Sequence, residues 1–304
     1  ALDAGAAPTL LPGGRLVTDA AARSEVEQVW KAPEGSLPGT PGRDTNAIVA
    51  AAAAAELSAL VVAGIDTEDL PDPELAVTAL STVDFVVSLE IRASEVTRRA
   101  NVVLPVAATP EKSGTFLDWE GRSRPFDTVL REAGALPDCR VLDALAVEMD
   151  VDLFTQTPAA AADDLARLGT RPKTAPPPPD GTAVTVSGPV SGPVSLAPGQ
   201  ALLATWRRLL DNGRLQEGEP HLAATARAVT AKLSQATAAK LGVQFGELVT
   251  VATEHGSVTL PADEADLPED VVWLPENSPR SAVHRDLGAG HGAVVTVGPA
   301  GGAE

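Results

Sequence analysis

The chain has 304 residues, 44% of them hydrophobic, which is enough length for two domains with separate cores. Its formal charge of −18 at pH 7 repels phosphate backbones and excludes nucleic acid as a partner. No run approaches the roughly 18 consecutive apolar residues of a membrane span, so direct membrane insertion is not expected.

The first residue is Ala1, and no basic-then-apolar leader precedes a cleavage site, so a processed or truncated product is expected. Residues 1–42 are rich in Gly and Pro, with a turn at 10–14 and one short helix at 26–30. Asp44 or Thr45 can cap a helix running through the alanines to about Leu57. A short apolar strand at 60–63 and an acidic loop at 66–72 follow. Pro73 then opens a helix to about Leu80. Buried strands at 85–89 and 102–106 flank a helix at 94–100. Strands alternating with helices argue for right-handed crossovers and a parallel sheet.

Residues 102–126, VVLPVAATPEKSGTFLDWEGRSRPF, read as a buried strand limited by Pro105 and then a long loop. Gly114 and Gly121 are its flexible points, and both charge signs are packed between Glu111 and Arg124. A loop of this length in an α/β domain is commonly functional. Asp138 can cap a helix whose apolar positions Val141, Leu142, Leu145, Ala146 and Met149 make one continuous face. Cys139, in that first turn, is the single cysteine. It allows neither an internal disulfide nor a cysteine-ligated cluster in this chain, and is expected to be part-buried and chemically idle.

From 156 to 196 an alanine-rich helix at 159–168 leads into four prolines at 176–179 and a duplicated Ser-Gly-Pro-Val at 187–194. This composition reads as a linker or a surface strap. The last hundred residues predict a helix at 202–210, a strand at 229–233, and a short helix capped by Ser234 and closed by Gly242. Strands at 248–253 and 257–260, joined by a tight turn at 254–256, and strands at 271–274 and 294–297 complete a β-rich unit. No two of the four histidines stand at i, i+4, and no metal site is expected. His255 reads as an exposed turn residue. His284 and His291 flank Gly288-Ala289-Gly290, a weak candidate phosphate loop because no helix follows it. Glu111 with Lys112, or Glu120 with Arg122, would need a cleft and a shifted pKa to act as acid–base pairs. Trp119 and Trp273 read as packing or interface anchors.

The 102–126 stretch resembles the segment "ADVVLP…E…GTF.N.EGR" of the molybdopterin oxidoreductase superfamily. The run AAKLGVQFGELVTVATEHGSVTLPA, from Ala238 to Ala262, is similar to the recurrent "LGI.dGd.V.v.s..G.v.l" of that superfamily's carboxy-terminal double-psi β-barrel. Pro41-Gly42-Arg43-Asp44-Thr45, Leu60 to Asp66 and Phe85 to Glu90 narrow the resemblance to one family. It is that of the large iron–sulfur subunit of bacterial NADH–quinone oxidoreductase, respiratory complex I, whose carboxy-terminal part this chain resembles.

The resemblance implies an α/β fold with a Rossmann-like parallel-sheet domain over 1–155, a Pro/Gly-rich linker or strap over 156–196, and a double-psi β-barrel domain over 197–304. In cofactor-bearing members a pterin lies between the two domains, and Gly114, Thr115, Glu120, Gly121 and Arg122 match the loop facing that cleft. Asp118 stands where Asn is common, and Ser234 to Ala238 replace an Asn-x-x-Asp-Ala segment that helps position the nucleotide. These departures imply a vestigial loop braced by Glu120 and Arg122, with no catalytic, cofactor-binding or metal residue in the segment. The 4Fe-4S and 2Fe-2S iron–sulfur clusters would lie elsewhere in the complete subunit of this proton-translocating enzyme. Implied partners are the other peripheral-arm subunits of complex I, on the cytoplasmic side of the cell membrane. An alternative is the rear half of a molybdopterin-dependent formate dehydrogenase or nitrate reductase. A third is a free-standing interaction module.

Overall fold

The structure, a computed structural model, describes residues 5, 7–118, 120–131, 134–169 and 195–301. The proline run, the Ser-Gly-Pro-Val repeat and Trp119 lie outside the described residues. The chain divides into two units, one of Ala1–Ile65 with Ala79–Pro179 and one of Asp66–Thr78 with Asp180–Glu304.

In the first unit β1 (Leu10–Leu11) and β2 (Arg15–Leu16) form an antiparallel ribbon that leads into α1 (Ala20–Trp30). The helix starts earlier than the expected 26–30 because the Asp19 carboxylate accepts from the N–H groups of Ala21 and Ala22. α2 (Thr45–Ala53) is capped by Asp44 and stops short of Leu57, where Ala55 turns to φ +58°. β3 (Ala59–Ala63) is followed by α3 (Pro73–Thr82), of which only 79–82 group with this unit, and by β4 (Phe85–Glu90), α4 (Glu95–Arg99) and β5 (Val102–Pro105). Ser94 and Thr97 form a reciprocal capping box on α4. The three strands pair in parallel in the order β3-β4-β5, over a core that includes Ala52, Leu80, Val83, Val86 and Val96. β5 is not the buried strand expected: it is an edge, and Val102 and Val103 are exposed.

The expected long loop contains a hairpin instead. β6 (Gly114–Leu117) and β7 (Ser123–Phe126) pair antiparallel, with Gly114 opposite Phe126 and Leu117 opposite Ser123. The rings of Phe116 and Phe126 stack at 4.7 Å, a diagonal cross-strand contact that pins the register. α5 (Asp138–Glu148) also departs from expectation. Asp138 does not cap it; its carboxylate bonds Lys112 Nζ at 2.6 Å. Of the predicted apolar face only Val141 is buried, while Leu142, Leu145 and Met149 are exposed. The fully buried side chain is Asp143, held by Arg140 and by the Thr155 N–H. α6 (Pro158–Leu168) begins at the Thr157 cap.

In the second unit β8 (Gln200–Trp206), α7 (Pro220–Ala223), β9 (Ala231–Leu233), α8 (Gln235–Leu241), β10 (Leu248–Ala252) and β11 (Ser257–Glu264) come first. β12 (Val271–Pro275), β13 (Asn277–Ser278), β14 (Ser281–Ala282), α9 (Val283–Leu287) and β15 (Val294–Pro299) follow. Six of these strands close a barrel in the order β10-β11-β9-β12-β8-β15. The β9–β11 and β8–β12 pairs are parallel and the other four antiparallel. The expected helix at 202–210 is therefore wrong. Its residues supply β8, whose alternate side chains Ala201, Leu203 and Thr205 are buried. α8 is as expected, with Ser234 accepting from the Thr237 N–H and Gly242 closing it at φ +67°.

Candidate functional site

The loop residues singled out by the sequence sit at the two ends of the β6–β7 hairpin. Gly114 and Thr115 lie on β6, opposite Phe126 and Pro125. Glu120, Gly121 and Arg122 form the exposed turn at the far end, about 10 Å away at ~3.4 Å per residue along the strand. Gly114 is required by packing, since a Cβ there would come within 2.7 Å of the Phe126 ring. Gly121 is required by conformation, with φ +79°. Glu120 and Arg122 form an ion pair with each other.

What holds the turn is Asp118. Its carboxylate accepts from the N–H groups of Glu120 at 3.0 Å and Arg122 at 2.8 Å, and its carbonyl accepts from Gly121 at 2.9 Å. The signal for this was present in the sequence as an Asp three residues before a turn Gly. Glu111 and Lys112 are likewise committed, to the Ala108 N–H and to Asp138. Cys139 is half-buried, and burial pushes its thiol up from the usual range, away from thiolate chemistry.

In the second unit a cavity of about 280 Å³ is lined by Asp72, Glu74, His255, His284, Arg285 and Gly288 to Gly290, among others. The His255 ring lies against Gly288, and its Nε2 is 3.2 Å from the Arg285 carbonyl. Arg285 is paired with Asp286 at 2.9 Å and Glu68 at 3.2 Å, and the Asp286 bond holds its guanidinium pKa up. Trp273 lies under Lys232 Nζ at 5.6 Å. Among the described residues no group of three or more His, Cys, Asp or Glu side chains is placed to hold a metal ion.

Residues 13–146 match the family described as Molybdopterin oxidoreductase, and residues 210–299 the one described as Molydopterin dinucleotide binding domain. The chain is 49% identical over 98% of its length to the G subunit of NADH-quinone oxidoreductase from Mycobacterium bovis (strain ATCC BAA-935 / AF2122/97). To the protein of the same name from Streptomyces coelicolor (strain ATCC BAA-471 / A3(2) / M145) it is 47% identical over 99%. The chain belongs to the molybdopterin oxidoreductase family. It spans 36% and 35% of the length of those two relatives. Acetylene hydratase from Pelobacter acetylenicus shares the fold with a TM-score of 0.52 at 16% identity, over 93% of this chain and 50% of that one.

Membership of the molybdopterin oxidoreductase family raises the question of a pterin dinucleotide, whose phosphates need free N–H donors or uncommitted cations. The cleft-loop residues do not fit that need. All three N–H groups of the 120–122 turn are taken by Asp118, which places a carboxylate where a phosphate would have to sit. Arg122 is held by Glu120 and Arg285 by Asp286 and Glu68. In the barrel, Ser234 and Thr237 cap α8 and fix the Asp270 N–H.

Proposed function

We propose that this chain is a cofactor-free, structural portion of the peripheral arm of NADH–quinone oxidoreductase, respiratory complex I. It would support electron transfer from NADH to quinone through iron–sulfur clusters held elsewhere in the complete subunit. The observation that carries this reading is identity near one half along the whole chain to two proteins named as the G subunit of NADH-quinone oxidoreductase. The lone cysteine agrees, because it cannot hold a cluster. The occupied N–H donors of the 120–122 turn support a loop that braces the fold and binds no phosphate.

In the same reading the domain boundaries are 1–155, 156–196 and 197–304. The first domain is Rossmann-like and the third a double-psi barrel, which suits its two parallel strand pairs. The partners are the other peripheral-arm subunits, on the cytoplasmic side of the cell membrane. No helix among the described residues is long and apolar enough to cross a membrane, which suits a peripheral position.

Elemental analysis tests the proposal. The 304-residue chain is expected to carry neither iron, molybdenum nor tungsten, and the complete subunit iron alone. About one equivalent of molybdenum or tungsten per chain would overturn it, since that metal does the redox chemistry in cofactor-bearing members.

A further inference from the structure

An asparagine followed by a glycine is prone to lose its side-chain amide, because a residue without a Cβ leaves its own backbone nitrogen open to approach. That nitrogen gives up its proton and bonds to the asparagine Cγ. The Cγ–Nδ2 bond breaks, ammonia leaves, and a succinimide ring remains. Water then opens the ring to aspartate or, through the other carbonyl, to isoaspartate, which carries an extra methylene in the backbone. Of Asn46, Asn101, Asn212 and Asn277, only Asn212 precedes a glycine. Asn212 is also exposed to the water that the reaction needs.

The fold places a carboxylate on the nucleophile of this reaction. The Gly213 N–H donates to Asp211 Oδ1 at 2.7 Å. The bond engages the attacking nitrogen, and its negatively charged acceptor opposes loss of the proton. Asp211 is itself fixed. Its side chain is 7% exposed, its Oδ2 lies 3.4 Å from an Arg207 guanidinium nitrogen, and its backbone N–H donates to Gln216 Oε1 at 3.0 Å. Asn212 is held as well. Its N–H donates to the Asn277 carbonyl at 3.0 Å, and its Nδ2 lies 3.5 Å from Asn277 Oδ1. Asn277 is buried on β13, which restricts how far Asn212 can turn its Cγ toward Gly213.

We propose that Asn212–Gly213 is a deamidation site of this protein, and that Asp211 is the positioning residue that keeps it closed in the folded chain. The reaction becomes available where the Asp211 bond opens. Its product adds a negative charge next to Asp211, and isoaspartate displaces the backbone that Asn277 holds. The inference does not depend on the complex I reading, since it uses only Arg207, Asp211 to Gly213, Gln216 and Asn277.

The test incubates four samples in mildly alkaline buffer: the folded 304-residue chain, the same chain in urea, and the folded Asp211→Ala and Asp211→Asn variants. Conversion of Asn212 is followed at its peptide by mass spectrometry, as the replacement of ammonia by water. A thermal melt shows that each variant is folded at the incubation temperature. The folded wild type should convert about tenfold more slowly than the chain in urea, or slower still, the factor corresponding to one charge-assisted hydrogen bond. Asp211→Ala should recover most of that tenfold. Asp211→Asn keeps an acceptor without the charge and should fall between the two. A folded wild type that converts as fast as the chain in urea overturns the proposal. So does a folded Asp211→Ala no faster than wild type, or an Asp211→Asn as fast as Asp211→Ala. If Asp211→Ala melts below the incubation temperature, amide exchange at Gly213 of the wild type decides: protection upholds the proposal, and exchange at the rate of an open amide overturns it.

Discussion

At the hairpin tip the Asp118 side chain accepts from two backbone N–H groups and its carbonyl from a third. An Asn at this position could accept from the same two N–H groups through its amide oxygen, so the carboxylate adds charge without changing the turn. Asp118→Ala should therefore loosen the tip, while Asp118→Asn should leave it closed. The turn is exposed, so the loss is about 1 kcal/mol and local. Amide exchange at Glu120 and Arg122 should accelerate by about fivefold to tenfold in the Ala variant, with the melting temperature little changed. Unchanged exchange at both amides would mean that the backbone alone sets the turn. The role of Asp118 could have been read from its spacing to Gly121. That it also consumes the donors a phosphate would need becomes visible only when the three N–H groups are seen to converge.

At the scale of elements, α6 shows how a helix end is fixed. The last carbonyls of a helix have no partner within it, and here Arg15 supplies one. Arg15, 2% exposed, donates to the carbonyls of Leu168 at 2.5 Å and Gly169 at 3.2 Å, and to both oxygens of Glu25. A Cβ at Gly13 would collide with that guanidinium. Arg15→Leu would leave those carbonyls unsatisfied and take the guanidinium away from Glu25. We expect a loss of about 2–3 kcal/mol in chemical denaturation, discounted for the partial exposure of Glu25. A change under about 0.5 kcal/mol, typical of a neutral surface substitution, would contradict the latch. Nothing in the local sequence pairs Arg15 with residues more than 150 positions away. By contrast α2 and α8 were legible from their caps Asp44 and Ser234, because capping is a contact across two or three residues. β8 was misread for the opposite reason. Ala-Leu-Leu-Ala suits either period, and the strand is decided by parallel pairing with β12 and antiparallel pairing with β15.

At the scale of the whole molecule, the second unit is discontinuous in sequence. Asp66–Thr78 groups with the barrel, where Asp69 pairs with Arg207 at 2.5 Å, Glu68 with Arg285 at 3.2 Å and Asp66 with Arg214 at 3.7 Å. A fragment cut at residue 197 keeps every barrel strand and loses all three ion pairs. Each is partly exposed and contributes about 0–1 kcal/mol, so the fragment should fold with a stability lower by about 1–2 kcal/mol. That difference should shrink in 1 M salt, where the Debye length is about 3 Å. A fragment as stable as the barrel in the intact chain at low salt would show that the acidic segment adds nothing.

The sequence by itself determined the alternation of helix and strand that makes a parallel sheet, most helix starts, and the β-rich end. It also carried the motifs of a molybdopterin oxidoreductase. Each of these depends on residues close together in the chain, or on a pattern of side-chain types that survives without coordinates. The tertiary structure alone decided that 114–126 is a hairpin and that β8 is a strand. It also decided that Asp143, not the apolar face of α5, is the fully buried side chain of that helix, and that Val61, Phe85 and Val102 lie open. Burial is a property of what a side chain meets across the fold. An apolar residue on an edge strand reads the same in sequence as one at the centre of a sheet, and only the neighbours present in space tell them apart.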